Sequence, residues 1–499
     1  MRYGQAKYGS FKYGITDNPN VGWRFLVKWD DQFWTPEANR VLDLVITRGR
    51  DNMMSGDKLL EPMKPGEAVF MLDNHDGRYD PFNTSSPLYN LIGPNKRLQI
   101  SVKNGDTGGD WIIFTGTISE ITPFGRWDKT QIRAIDDLNV LASKIVNYEL
   151  VEGCRVDEAI RNVLLTAGFA DTNLILDKSS DFIHYWWAAK QSAKDTIDEL
   201  AQAHMDEWAV LANGKIKYKA HNRTDALKTT FTSDELLKDI SFLMPWDVQR
   251  NLVEYTIYPI ETDSVIQLIW ENKSAIFIQA GETIELDADF SVEGQDCLAK
   301  PYWIVGFTLV ATTGVDGTGA NVALNISWQF YGSYAHVVIT NVDSVDGYIQ
   351  PRNENVSGYA IGTAYLIYNK SAVRKTKNWS PEKDRKLLID SKYMQDRNLA
   401  SGLAEYFVNW LYNTKHYPTI ILEGRNDLQF SLDLLDKVRL KLDVLGLDAE
   451  FRIGKIETSW LNNNGSASRT VLKLEPIKTF GDYWELDVDY LGVGSILGV

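Results

Sequence analysis

Arg48-Gly49-Arg50-Asp51, then Ala68-Val69-Phe70-Met71-Leu72 running directly into Asp73-Asn74-His75-Asp76-Gly77-Arg78-Tyr79-Asp80-Pro81-Phe82-Asn83-Thr84, is the stretch between Arg48 and Pro94 from which the fold is read. Consecutive apolar residues without helical spacing fit a buried strand. Asn74, Asp76-Gly77 and Asp80-Pro81 supply the side-chain acceptors, the positive φ and the fixed φ that successive turns require. A strand that stops abruptly in an elaborate loop is the expected structure. The acids invite a calcium reading, but an EF-hand loop needs oxygen ligands at positions 1, 3 and 5 with glycine at 6, and Gly77 at position 6 puts Leu72 at position 1. A turn whose carboxylates cap their own backbone is preferred, with no metal and no cofactor.

The run Leu72 to Pro87, with its L-D-N-x-D-G-R-Y-D-P core, resembles the N-terminal domain of minor tail and tail-hub proteins of long-tailed bacteriophages. Pro94-Asn95-Lys96-Arg97-Leu98-Gln99-Ile100 and Phe114-Thr115-Gly116-Thr117-Ile118 carry the same resemblance further. Leu72, Asp73, Asn74, Asp76, Gly77, Arg78, Tyr79, Asp80 and Pro81 form its structural motif. Motifs of this kind specify architecture, so the resemblance implies a structural, non-enzymatic role and brings no catalytic residue with it.

Working outward, Arg24 to Trp29, Leu42 to Thr47, Leu98 to Lys103, Trp111 to Ile121 and Thr130 to Ala134 alternate apolar and polar residues, with glycine and proline between them. Residues 21–147 are therefore expected to form a closed or half-closed β-barrel, which the resemblance relates to the tail-tube barrel. Before it, Tyr3-Gly4, Tyr8-Gly9 and Tyr13-Gly14 recur every five residues, a period of neither helix nor strand. Residues 1–20 read as an arm that docks through Tyr3, Tyr8 and Tyr13.

The period changes at 148–222. Val156 to Gly168 has helical spacing with acids in its first turn and a terminal glycine, Ala193 to His204 forms a second helix, and Trp208 to Tyr218 folds back through Asn213-Gly214 as a hairpin. Tyr185-Trp186-Trp187 is assigned to core packing, because three adjacent aromatics cannot share one sugar-stacking face. Strand patterns return at 223–270 and again at 366–480, suggesting a second barrel that holds a helix over 396–412 striped by Leu399, Leu403, Phe407, Trp410 and Leu411. The interruption at 271–365 alternates on its own and is expected to be an inserted β-sandwich, and 481–499 forms a C-terminal tail. Leu435-Asp436-Lys437-Val438 stands where the resembled family has a Leu-Gly-Asp-Val turn, so the geometry there is open.

Composition bounds the function. The 499 residues suggest about three domains. A net charge of −15 argues against a protein that grips nucleic acid through its phosphates; from charge alone it fits a conduit wall past which DNA slides and equally a large protein kept soluble by its acids. Cys154 and Cys297 have no metal-ligand spacing and are expected to be reduced and buried. The six histidines (75, 184, 204, 221, 336 and 416) form no H-x-x-x-H pair, and no nucleophile or phosphate-loop motif occurs. Without an apolar leader run, the chain is expected to be made in a bacterial cytoplasm and assembled into a virion.

The fold expected is thus mainly β with α+β parts: two tube-like β-barrels flanking a small α/β domain, plus an inserted β-sandwich. The resemblance implies a homotrimeric tail-tip hub or baseplate component that contacts tube and tip or fibre proteins and takes part in DNA ejection. The competing class is a tip protein that binds a host receptor or glycan through the insert, with ligand aromatics unassigned. A cell-wall hydrolase is a third, weaker class.

Overall fold

The computed structural model describes residues 21–477 apart from 52–53, 56–57, 60, 105–108, 125–127, 222, 224, 234–239, 246–247, 263–264, 301–303, 353–357, 363–364, 368–370, 378–384, 414, 424–425 and 462–466. Tyr3, Tyr8, Tyr13 and the 481–499 segment lie outside the described residues.

The protein is mainly β, and its largest element is one sheet of 13 strands. One half is antiparallel and runs Val41–Gly49, Lys64–Asp73, Lys129–Ile135, Asp110–Phe124, Arg97–Asn104, Val21–Val27 and Thr35–Pro36. Its alternation turns Phe25, Leu44, Ile46, Phe70, Leu72, Leu98, Ile100, Phe114 and Ile132 into a core where each is at most 1% exposed. The other half runs Leu447–Leu461, Ala467–Pro476, Tyr417–Glu423 and Ile240–Leu243, with Lys437–Leu442 and its parallel partner Leu227–Thr232 branching from Leu447–Leu461.

The two halves are joined. Val41–Gly49 pairs antiparallel with the end of Leu447–Leu461, from Asp43 opposite Leu461 to Gly49 opposite Lys455. Trp460 and Phe430 cross this seam into the first core, where each ring lies 5.5 Å from Trp23. The ladder ends at Thr35–Pro36 and at Ile240–Leu243, so among the described residues the strands expected in two separate barrels form one open sheet. Alternation marks which residues face a core but does not name the neighbouring strand, so this pairing was invisible in the sequence.

The strand signals of 223–270 divide further. Leu252–Ile257 leaves the large sheet to pair with Ser371–Thr376 and Lys386–Asp390. This small sheet is covered by the helix Arg397–Tyr412, whose Leu403, Phe407 and Leu411 are buried against it while Leu399 and Trp410 are partly exposed. Asp396 caps that helix by accepting from the Asn398 and Leu399 backbone N–H groups. Gln267–Glu271 belongs instead to the core of the 271–365 region, where Ile269 joins Ile278, Val337 and Ile339 under four small sheets.

The middle region holds the helices Val156–Thr166 and Ala193–His204 and the hairpin of Glu207–Val210 with Ile216–Lys219, turned at Gly214 (φ +80°). Ser192 caps the second helix, and Met205 closes it in the left-handed conformation. Trp186 is fully buried in the core shared by this region and the second half-sheet. Trp187 packs with Leu150 and Leu298 where the middle region meets the insert.

Candidate functional site

The loop after Lys64–Asp73 is a series of turns tied to its own backbone. Gly77 donates to the Asn74 carbonyl at 2.9 Å, Asp80 to Gly77 at 3.2 Å, Asn83 to Asp80 at 3.1 Å and Ser86 to Asn83 at 3.0 Å. Side chains fix this path: Asn74 Oδ1 accepts from the Tyr79 N–H, Asp80 Oδ1 from Phe82 and Asn83 Oδ1 from Ser85, while Asn83 Nδ2 donates to the Gly77 carbonyl. Gly77 has φ +65°, and a Cβ there would stand 3.0 Å from Asn83 Nδ2.

The loop is anchored on a carboxylate that sequence reasoning passed over. Glu37 is 3% exposed and accepts from Trp29 Nε1 at 2.9 Å, Tyr79 Oη at 2.6 Å and Arg78 Nη2 at 2.9 Å. Burial and the Glu37 charge push the Tyr79 hydroxyl well above its ordinary pKa, which keeps it a donor. Asp76 does more than cap: it makes a two-pronged ion pair with Arg40 at 2.9 and 2.7 Å, and that bond holds its pKa low. Asp73 pairs with His75. Each carboxylate of the motif therefore has a protein partner or caps a turn, and among the described residues no group of three or more His, Cys, Asp and Glu is arranged to hold a metal.

Arg48-Gly49-Arg50-Asp51 proves to be the chemical centre of the seam. Arg48 Nη1 bonds Asp433 Oδ1 at 2.6 Å, and the other oxygen of Asp433 accepts from the Ala212 N–H at 2.9 Å. Arg50 is 3% exposed; its Nε and Nη2 bond Glu475 at 2.9 and 2.5 Å, and Nη2 also reaches Glu207 at 3.0 Å. Glu207 pairs in turn with Arg452, which reaches Asp225 at 3.1 Å. Asp51 bridges Lys455 and Lys64 at 2.5 and 2.9 Å. Burial opposes the Arg50 charge, but Glu475 and Glu207 outweigh it and hold its pKa above the usual range. Gly49 (φ +100°) lies so close to the facing strand that a Cβ would meet the Gly454 carbonyl oxygen at 2.1 Å. This cluster ties the first half-sheet, the second half-sheet and the middle region together.

His204 is fully buried with Nδ1 3.2 Å from Asp181, while His221 Nδ1 lies 2.9 Å from Asp206, which also accepts from the Tyr218 hydroxyl. The remaining described histidines are dispersed: His184 beside Asp396, His336 beside Asp287 and His416 edge-on to Phe242. Cys154 and Cys297 are buried and free, and burial pushes both thiols up to about 12. Among the described residues no helix is long and apolar enough to cross a membrane.

No known protein family matches the chain, and no curated protein does. Solved structures do. A tail protein from Neisseria meningitidis is 10% identical over 92% of this chain and 98% of its own, with a TM-score of 0.48. A prophage tail protein from Shewanella oneidensis is 11% identical over 91% and 98%, also at 0.48. One from Listeria monocytogenes is 8% identical over 92% and 95%, at 0.41. These three are tail or prophage tail proteins, and a type VI secretion component and a gene transfer agent virion are among the other similar structures.

Proposed function

We propose that this chain is a structural hub of a phage tail tip, joining the tail tube to distal tip or fibre proteins and bordering the path by which DNA leaves. One observation carries the reading: two strand-rich halves, built from opposite ends of the chain, lie side by side in one sheet through the Val41–Gly49 ladder with Leu447–Leu461, and among the described residues both ends of its main path, Thr35–Pro36 and Ile240–Leu243, lack a further strand, as does the branch ending at Leu227–Thr232. An uncovered edge strand is an aggregation risk that proteins pair or shield. Leu243 and Met244, at the Ile240–Leu243 end, are 56% and 50% exposed. Three copies set edge to edge would cover these ends and present six similar half-sheets, matching a threefold tip to a sixfold tube. The Asp73–Pro94 turns support the same reading, being spent on architecture with no free chemistry.

In this scheme residues 21–147 form the first tube-like unit, 223–258 and 371–480 contribute to the second, 148–222 is the spacer, 259–370 is an outward insert, and Tyr3, Tyr8 and Tyr13 dock on a neighbour. The sheet face turned away from the cores carries both signs, as in Glu67 paired with Arg133 and Glu423 paired with Arg469. A lumen lined by it would be polar and mixed rather than the uniformly acidic wall suggested by the net charge. Copy number per particle, from quantitative mass spectrometry of purified virions, tests the proposal. Three copies fit a hub, whereas six or more fit a peripheral adhesin and contradict it.

A further inference from the structure

The inserted region carries an open cleft of about 1040 Å³ lined by residues between Gln267 and Gln295. We infer that this cleft is a binding site for a neutral oligosaccharide. The volume suits several sugar rings rather than an ion.

Its floor is unusual for a strand. Gln267–Glu271 shifts register against Tyr359–Gly362 between Leu268 and Trp270, with Ile269 sunk into the core as the extra residue. Gln267, Leu268, Trp270 and Glu271 all line the cleft as a result, where simple alternation would send only every second residue there. The Trp270 indole is stacked on Phe307 at 5.4 Å with 20° between the rings, which fixes its plane. A rigid indole beside flat amide and carboxylate groups is the surface that a polyol recognises. Ring C–H faces lie on the aromatic, and adjacent hydroxyls bond the planar acceptors.

Asp287 and Asp289 of Thr283–Asp289 and Gln295 also line the cleft. Both acids are held by Lys190 of the middle region at 3.0 and 2.9 Å, and Glu271 by Arg352 at 2.9 Å. Counting Glu293 and Lys273, the four acids face three bases, leaving one net negative charge. A strongly anionic saccharide is disfavoured and a neutral one is not. The cleft depends only on the insert and its Lys190 tether, so a failure of the hub reading would leave this site standing.

The test titrates the full chain with acetylated chitotetraose, maltotetraose and cellotetraose, and with a heparin tetrasaccharide as the anionic control, by calorimetry and tryptophan fluorescence. At least one neutral tetrasaccharide is expected to bind at or below about 10 mM. Trp270→Ala should weaken it about tenfold. Because Trp270→Ala also removes packing, Ser291→Trp, which fills the cleft from its rim, serves as the second variant and should abolish binding with unchanged circular dichroism. No neutral sugar bound at that concentration, equal or tighter heparin binding, calcium binding in place of sugar, or affinity retained in both variants would each overturn the inference.

Discussion

Removing one carboxylate from the Arg50 cluster should loosen the seam more than any surface change. Arg50 is enclosed by Glu475 and Glu207 at 3%, 4% and 5% exposure, and Arg452 shares Glu207. In Glu475→Gln the guanidinium loses its closest counter-charge and one of the two oxygens that accept from it, since the amide nitrogen donates, and Glu207 is left to serve both Arg50 and Arg452. Breaking a buried pair from one side costs about 3–5 kcal/mol, because the remaining charge stays desolvated. The exposed bidentate pair Arg439–Asp448, at 2.6 and 2.7 Å, is the control and should tolerate Arg439→Ala without a measurable shift. Urea unfolding followed by circular dichroism and tryptophan fluorescence reads both. The paired replacement Arg50→Met with Glu475→Leu should recover much of the loss, since it removes both charges from the apolar surroundings. A Glu475→Gln midpoint equal to wild type, or no better than the single variant after the paired replacement, would refute the claim that this cluster is closed to water and couples the halves.

Gly77→Val should destabilise by roughly 1–2 kcal/mol, because φ +65° disfavours a β-branched residue and the new Cβ meets Asn83. Asp76→Asn should cost less than about 1 kcal/mol, its pair with Arg40 being partly exposed. EDTA should leave the wild-type melting temperature unchanged in the same experiment. Replacing 259–370 by a short glycine turn from Tyr258 to Ser371, where Ile257 and Ser371 are already paired, should leave a protease-resistant core, and a shredded product would show that the insert belongs to that core. Asp136, buried and accepting from the Gly66 and Leu138 N–H groups, has its carboxyl pushed up to about 7 by desolvation. A folded value above the unfolded one means its stabilising contribution is complete below pH 4 and fades as pH rises to about 7. Asp136→Asn should therefore lose most against wild type at pH 4 and least at pH 8, a difference of up to about 4 kcal/mol, and a pH-independent difference would contradict the assignment.

Local patterns were legible where one residue decides them. The apolar stripe of Leu399, Leu403, Phe407 and Leu411 marks its helix, Asn213-Gly214 its hairpin, and Asp73–Pro94 its turns. Leu435 shows the limit of such reading. Asp436 stands at the position of the missing glycine, but the positive φ falls one residue earlier, on Leu435 at +63°, which is fully buried, so packing of its side chain offsets the backbone strain. Long-range partners were not legible. The roles of Arg48 and Arg50 were hidden because their acids, Asp433 and Glu475, stand some 400 residues away and carry no local signature. Glu37 carries no local signal, since only the fold brings Trp29, Tyr79 and Arg78 around it. Strand alternation likewise hid the seam, since a period of two specifies a face and leaves the partner open.

The most direct test of the hub proposal is an end-on reconstruction of the tail tip in which this chain is traced. The account predicts three copies around the axis, with Ile240–Leu243 of one meeting the Thr35–Pro36 end of the next and a polar lumen of mixed charge. Six copies, a single copy on the axis, or sheet ends left facing solvent would contradict it.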